Sequence, residues 1–212
     1  MTSFNDLTSA ATLLATRRSG KARDMVAPGP SPDQLHAILA TAMRVPDHGK
    51  LAPWRFVVVE DGGRRLLANA MQEIYVAEKP QAGRLEREAA HAFALQAPAM
   101  VVLMSRPDVS SHIPVWEQEL SAGACAMLLC AAAHAQGFVA NWLTGWATYS
   151  PGVLAIIGEP GERIAGFFFM GTASRQLEER PRPEYEAVVR LWPTGDSADA
   201  EIAAIDGAAA AF

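Results

Sequence analysis

Arg17, Arg18, Ser19 and Lys21 fall within the five-residue run Arg17-Arg18-Ser19-Gly20-Lys21. Guanidinium, hydroxyl and ammonium donors at that spacing suit a phosphate monoester, which carries roughly two negative charges at neutral pH. A plainer use is to cap a helix C-terminus, where the macrodipole favours cations. Arg44 and His48 lie in the stretch Met43 to Phe56, and Glu179-Arg180-Pro181-Arg182-Pro183 adds two more guanidinium groups, Arg180 and Arg182. On its residues alone His48 reads as an exposed loop histidine bonded to Asp47. In Asn141-Trp142-Leu143-Thr144-Gly145-Trp146, Gly145 lacks a Cβ and suits a close approach of backbone to a ligand. Trp142 and Trp146 read also as ordinary core aromatics.

Other chemistries find little support. Ser19 and Ser121 have no GxSxG setting, and His36, His48, His91, His112 and His134 form no HxxxH or HxH pair. Cys125 and Cys130 would stand roughly 8 to 9 Å apart on a helix, beyond disulfide reach, and read as core thiols. No GxGxxG follows a strand, which disfavours a dinucleotide-binding Rossmann domain. With 18 basic and 23 acidic residues the net charge is -5, so no global field favours nucleic acid or an anionic membrane. The apolar stretch Leu120 to Ala135 is too short for a membrane span and reads as a buried helix. The N-terminus shows no leader pattern, and a cytoplasmic location is expected.

These residues need elements to hold them. Phe4 to Thr16 reads as an amphipathic helix. Ser31-Pro32-Asp33-Gln34 opens the next, with Ser31 at the N-cap, Pro32 at N1 and Gln34 completing a capping box. Phe56 to Val59 reads as a strand ended by a turn at Asp61-Gly62-Gly63. Helices follow from Arg64 to Glu78 and Arg84 to Leu95, then a strand from Ala99 to Met104. A long helix spans Trp116 to Gln136 with Gly137 as its C-cap, and a strand spans Phe138 to Leu143. Ser150-Pro151 starts a short helix ending at Gly158, and Ile164 to Met170 is a wholly apolar strand. The class is α+β. A chain of 212 residues, half of them hydrophobic, buries a substantial core as one domain over 1–192. The stretch 193–212 turns to Gly, Asp and Ala and reads as a C-terminal extension.

The basic run, the Met43 to Phe56 segment and the late basic pair, in this order, resemble the FMN-dependent nitroreductase family. Ile113 to Gly123 resembles its short, single-domain NAD(P)H nitroreductase branch. The resemblance runs from about Leu13 to Arg190. It implies a central, mainly antiparallel sheet flanked by helices, and a homodimer with two FMN sites at its interface. It assigns Arg17, Ser19, Lys21, Arg180 and Arg182, with Arg18 alongside, to the FMN phosphate. Arg44 and His48 would approach the flavin from the opposite subunit, and Trp142, Leu143, Thr144 and Gly145 would run along it, offering a main-chain N–H toward N5. A nicotinamide-nucleotide stretch would fall on Ala132, Ala133, His134, Ala135, Gln136 and Gly137. The implied activity is ping-pong transfer of hydride from NADH or NADPH to FMN and onward to a small electrophile, with no side-chain acid or base. Ala52 stands where many members carry Gln, and Leu143 replaces a frequently polar residue. These departures support alternatives: a non-enzymatic flavin-binding dimer acting as redox sensor or scaffold, or a reductase for a non-nitro metabolite.

Overall fold

The computed structural model describes residues 4–192. The chain divides into two compact units, Met1–Glu178 and Glu179–Phe212. The division falls earlier than the expected boundary, and the extension 193–212 lies outside the described residues.

In the first unit the order is α1 (Ala10–Thr16), β1 (Met25–Val26), α2 (Pro32–Ala42), β2 (Trp54–Val58), α3 (Asp61–Glu78), α4 (Arg84–Phe93), β3 (Ala99–Ser105), α5 (Val115–Ala135), β4 (Val139–Leu143), α6 (Trp146–Tyr149), α7 (Pro151–Ile157) and β5 (Arg163–Ala173). The described part of the second unit holds a single short helix, α8 (Tyr185–Val188). Every strand pairing is antiparallel: β5 pairs with β3 along 163–170, with β4 along 167–171 and with β1 at 172–173, and β3 pairs with β2. This is the expected α+β architecture with an antiparallel sheet.

Alternation explains why β3 and β5 are apolar throughout. Val101, Leu103, Phe168 and Met170 pack on one face with Ile38 and Ala42 of α2 and Ala122, Cys125, Ala126 and Leu129 of α5. Met100, Val102, Met104, Phe167 and Phe169 pack on the other face with Leu67 and Met71 of α3 and Val153 of α7. Both faces are covered, so neither parity can be polar. The two cysteines are free and buried in this core, where burial pushes both thiols up to about 12.

The capping box of α2 forms as its sequence dictates: the Ser31 hydroxyl accepts from the Gln34 N–H and the Gln34 amide oxygen accepts from the Ser31 N–H. Two expectations are corrected. α1 begins at Ala10, not Phe4, because the Ser9 hydroxyl caps Thr12 and the preceding residues fold back, Asn5 N–H onto the Thr16 carbonyl and Asp6 N–H onto Thr16 Oγ1. Short polar side chains won over the apolar pattern. α3 begins at Asp61 and includes both glycines expected to form a turn. First-turn N–H groups lack helical partners anyway, and Asp61 suits the positive end of the dipole.

Candidate functional site

The loop after α1 carries the basic run. Arg17 Nη1 donates to Ser19 Oγ at 3.4 Å, which gathers guanidinium and hydroxyl at one point. The Lys21 ammonium is exposed and hydrogen-bonds to no described residue. Arg18 points the other way: its side chain is buried, and its Nε donates to the Glu178 carbonyl at 2.7 Å. Its main chain is held by both ends of the Asn5 amide. The run therefore splits into a half-buried pair, Arg17 and Ser19, an exposed Lys21 and an inward anchor, Arg18. Arg17 is itself the C-cap residue of α1, so its position fits the capping reading as well, while its guanidinium reaches Ser19.

Gly20 lies hard against β4. The Asn141 side-chain amide donates to the Gly20 carbonyl, and a Cβ at Gly20 would come within 2.7 Å of Val139 Cγ1. Only glycine lets the basic loop approach the strand this closely. β4 then runs to an exposed Thr144 and Gly145, the latter at φ 145°, ψ -158°, a conformation open essentially to glycine alone. Nothing would meet a Cβ at Gly145 within 4 Å, so the main chain here faces open space. Trp142 stacks on Phe168 at 5.6 Å and its Nε1 donates to the Ala165 carbonyl, while Leu143 is half-buried in the core. The packing role of Trp142 is thus real, with its outer edge left exposed.

The stretch 46–53 is a rigid loop on α5. Asp47 accepts from the N–H groups of Leu51 and Ala52, and Ser121 donates to the Pro46 carbonyl at 2.5 Å. His48 pairs with Glu117 of α5, not with Asp47: Nδ1 lies 2.8 Å from Glu117 Oε2. Asp47 turns its carboxylate to the backbone N–H groups of its own loop. Arg44 is exposed at the end of α2.

The expected nicotinamide stretch is divided by burial. Ala132, Ala133 and His134 are in the core, and only Ala135, Gln136 and Gly137 reach the surface. α5 packs this end against the sheet and α2, which turns Ala132 and Ala133 into the core. His134 Nδ1 donates to the Phe138 carbonyl at 3.0 Å and Nε2 has no partner among the described residues. Burial, reinforced by the charge of Arg17 and opposed by that carbonyl, pushes the imidazole down to about 4. Arg180 and Arg182 lie in the second unit, exposed, with Arg182 Nη2 3.5 Å from Glu179 Oε1.

Two residues given no role from sequence matter here. Asn141 is the lone polar side chain of β4, a signal in itself. Glu78, at the end of α3, accepts from Trp146, Ser150 and Gly152 just beyond Gly145, and no local pattern announces it.

Comparison with known proteins identifies the family. A family model described as the nitroreductase family matches residues 14–172. A protein of Escherichia coli (strain K12) named "Putative NAD(P)H nitroreductase YdjA" is 34% identical over 161 residues, covering 76% of this chain and 86% of that protein. A nitroreductase-like family protein from Bacillus cereus superposes with a TM-score of 0.73 at 22% identity, covering 89% of this chain and 98% of that one. A mutant of the FMN- and NADPH-dependent nitroreductase NfnB, from sphigopyxis sp. strain HMH, superposes with a TM-score of 0.69 at 18% identity, covering 88% of this chain and all (100%) of that one. With three quarters of its length matched by the family model and by a relative at this identity, the chain belongs to the nitroreductase family.

Proposed function

We propose that this protein is an FMN-dependent oxidoreductase that takes hydride from NADH or NADPH and passes the electrons to a small electrophile such as a nitroaromatic or a quinone, acting as a homodimer. The observation that carries the reading is the joint between the basic loop and β4. Asn141 ties Gly20 to the strand, and that strand ends at the open main chain of Thr144 and Gly145. Three to four residues of extended chain, roughly 10 to 13 Å, separate the joint from that opening. The span suits the five-carbon arm and ring of FMN, and the donor set Arg17, Ser19 and Lys21 suits its phosphate.

FMN, when bound, supplies the centre that accepts hydride and releases electrons. The chain's own residues position it. Arg17 and Lys21 bring charge and Ser19 a hydroxyl to the phosphate, while Arg18 fixes the loop from beneath. A main-chain N–H at 144–145, with no side chain at Gly145 in the way, is available to the ring. Arg44 and His48 of a second copy stabilise negative charge at the ring's far edge, the imidazole steadied by Glu117. Exposed Met43, Trp116 and Leu120 beside these residues supply apolar surface for the second copy to cover. One opening serves donor and acceptor in turn.

Arg17→Ala removes a charge-assisted phosphate contact and is expected to weaken FMN binding about tenfold to a hundredfold. Fluorescence titration of FMN measures this directly. An unchanged dissociation constant would remove Arg17 from the site.

A further inference from the structure

We infer that Glu78 is a positioning residue that clamps the Gly145 corner in its ligand-facing conformation. The inference rests on the FMN reading above for what the corner faces. Its basis is a convergence of three donors on one carboxylate. Trp146 Nε1 donates to Glu78 Oε2 at 2.7 Å, Ser150 Oγ to Oε1 at 2.7 Å, and the Gly152 N–H to Oε1 at 3.2 Å. Those donors come from α6, from the α6–α7 junction and from α7, so one side chain at the end of α3 holds the whole turn that follows Gly145.

Packing also holds the corner: Ala147 is buried in the core with Trp146 against it, and the Gly145 carbonyl accepts from the Thr148 N–H at 3.1 Å. Trp146 is the first residue after Gly145, and its ring meets Tyr75 of α3 edge-on at 4.7 Å. Gly152 lies so close to α3 that a Cβ would come within 2.5 Å of Ile74 Cγ2 and 3.1 Å of Glu78 Oε1. The Thr148 hydroxyl, inside the same turn, is buried without a partner among the described residues. Gly145 itself adopts a conformation that glycine enters without strain and that a residue with a Cβ does not. Burial works against the Glu78 charge, yet the hydrogen bonds from Ser150, Trp146 and Gly152 keep its carboxyl below the usual range.

A clamp at this point acts on flavin through the main chain. An N–H directed at N5 favours the oxidised ring, whose N5 is an acceptor, over the reduced ring, whose N5 carries hydrogen. Loosening the corner therefore weakens the oxidised form more than the reduced form.

Trp146→Phe keeps the ring against Tyr75 and removes the indole donor; Glu78→Gln keeps the volume and turns one acceptor into a donor. Both are to be compared with the wild type in two measurements. In FMN-free protein, amide hydrogen exchange across 144–149 is expected to quicken in both variants; equal rates overturn the clamp regardless of any flavin. In FMN-loaded protein, the ratio of dissociation constants for oxidised and reduced FMN is expected to rise about two- to tenfold, the worth of one hydrogen bond. A lowered melting temperature with an unchanged ratio makes Glu78 merely structural and overturns the inference. A wild type that binds no FMN overturns the site reading, and with it the role given to the corner.

Discussion

His134 separates residue type from residue role. A histidine near the end of α5, close to a proposed nucleotide, invites a binding role, but the structure buries it neutral with Nδ1 on the Phe138 carbonyl. Its folded pKa near 4 lies below the unfolded value of about 6.5, so between those values the unfolded chain takes up a proton that the folded chain refuses. This contribution to stability is complete above about pH 6.5 and is lost as the pH falls to about 4, on the order of 3 kcal/mol in all. His134→Phe cannot titrate. The stability gap between wild type and variant, measured by urea titration, is expected to shift by that amount in the variant's favour from about pH 7 to about pH 4; a constant gap would mean the imidazole is not buried neutral. At this scale the sequence was legible where type and spacing act locally. Arg17 and Ser19 meet because they are neighbours. That Arg18 turns inward to Glu178, or that His48 prefers Glu117 to Asp47, depends on residues far along the chain.

Arg64 makes the corresponding point for elements. It is buried in α3, and its guanidinium donates to the carbonyls of Ala94, Gln96, Ala97 and Pro98, four of the five residues that link α4 to β3. Burial lowers its pKa, partly offset by Asp61, but an arginine so placed stays charged. Arg64→Met would leave those carbonyls unpaired and is expected to cost about 2 to 4 kcal/mol in a urea titration. A loss below about 0.5 kcal/mol would show that water replaces the guanidinium freely. Long elements with clear caps, such as α2 with Ser31 and Gln34, follow from sequence because their signals are short-range. The start of α1 does not, because Ser9, Asp6 and Asn5 offer the backbone competing bonds that an apolar periodicity cannot reveal. The two-residue β1 and four-residue α6 are stabilised by what they pack on, β5 and α3, and carry almost no signal of their own.

At the scale of the molecule, an antiparallel sheet buried on both faces serves as a platform for two loops, one basic and one bare of side chains, joined by Asn141. The Val-, Met- and Phe-rich strands made that platform legible, since runs apolar at both parities imply cover on both sides. The joint was less legible, because it couples residues 20 and 141. Among the described residues no helix is long and apolar enough to cross a membrane. The function proposed for the platform requires that it hold a flavin which nicotinamide reduces. An absorbance spectrum of the purified protein, supplied with FMN and cleared of excess, answers this when recorded before and after anaerobic addition of NADPH or NADH. Protein-bound flavin bands are expected, bleaching on addition and returning when a quinone or nitroaromatic follows. Absence of bound flavin, or bands that neither donor bleaches, would contradict the proposed function.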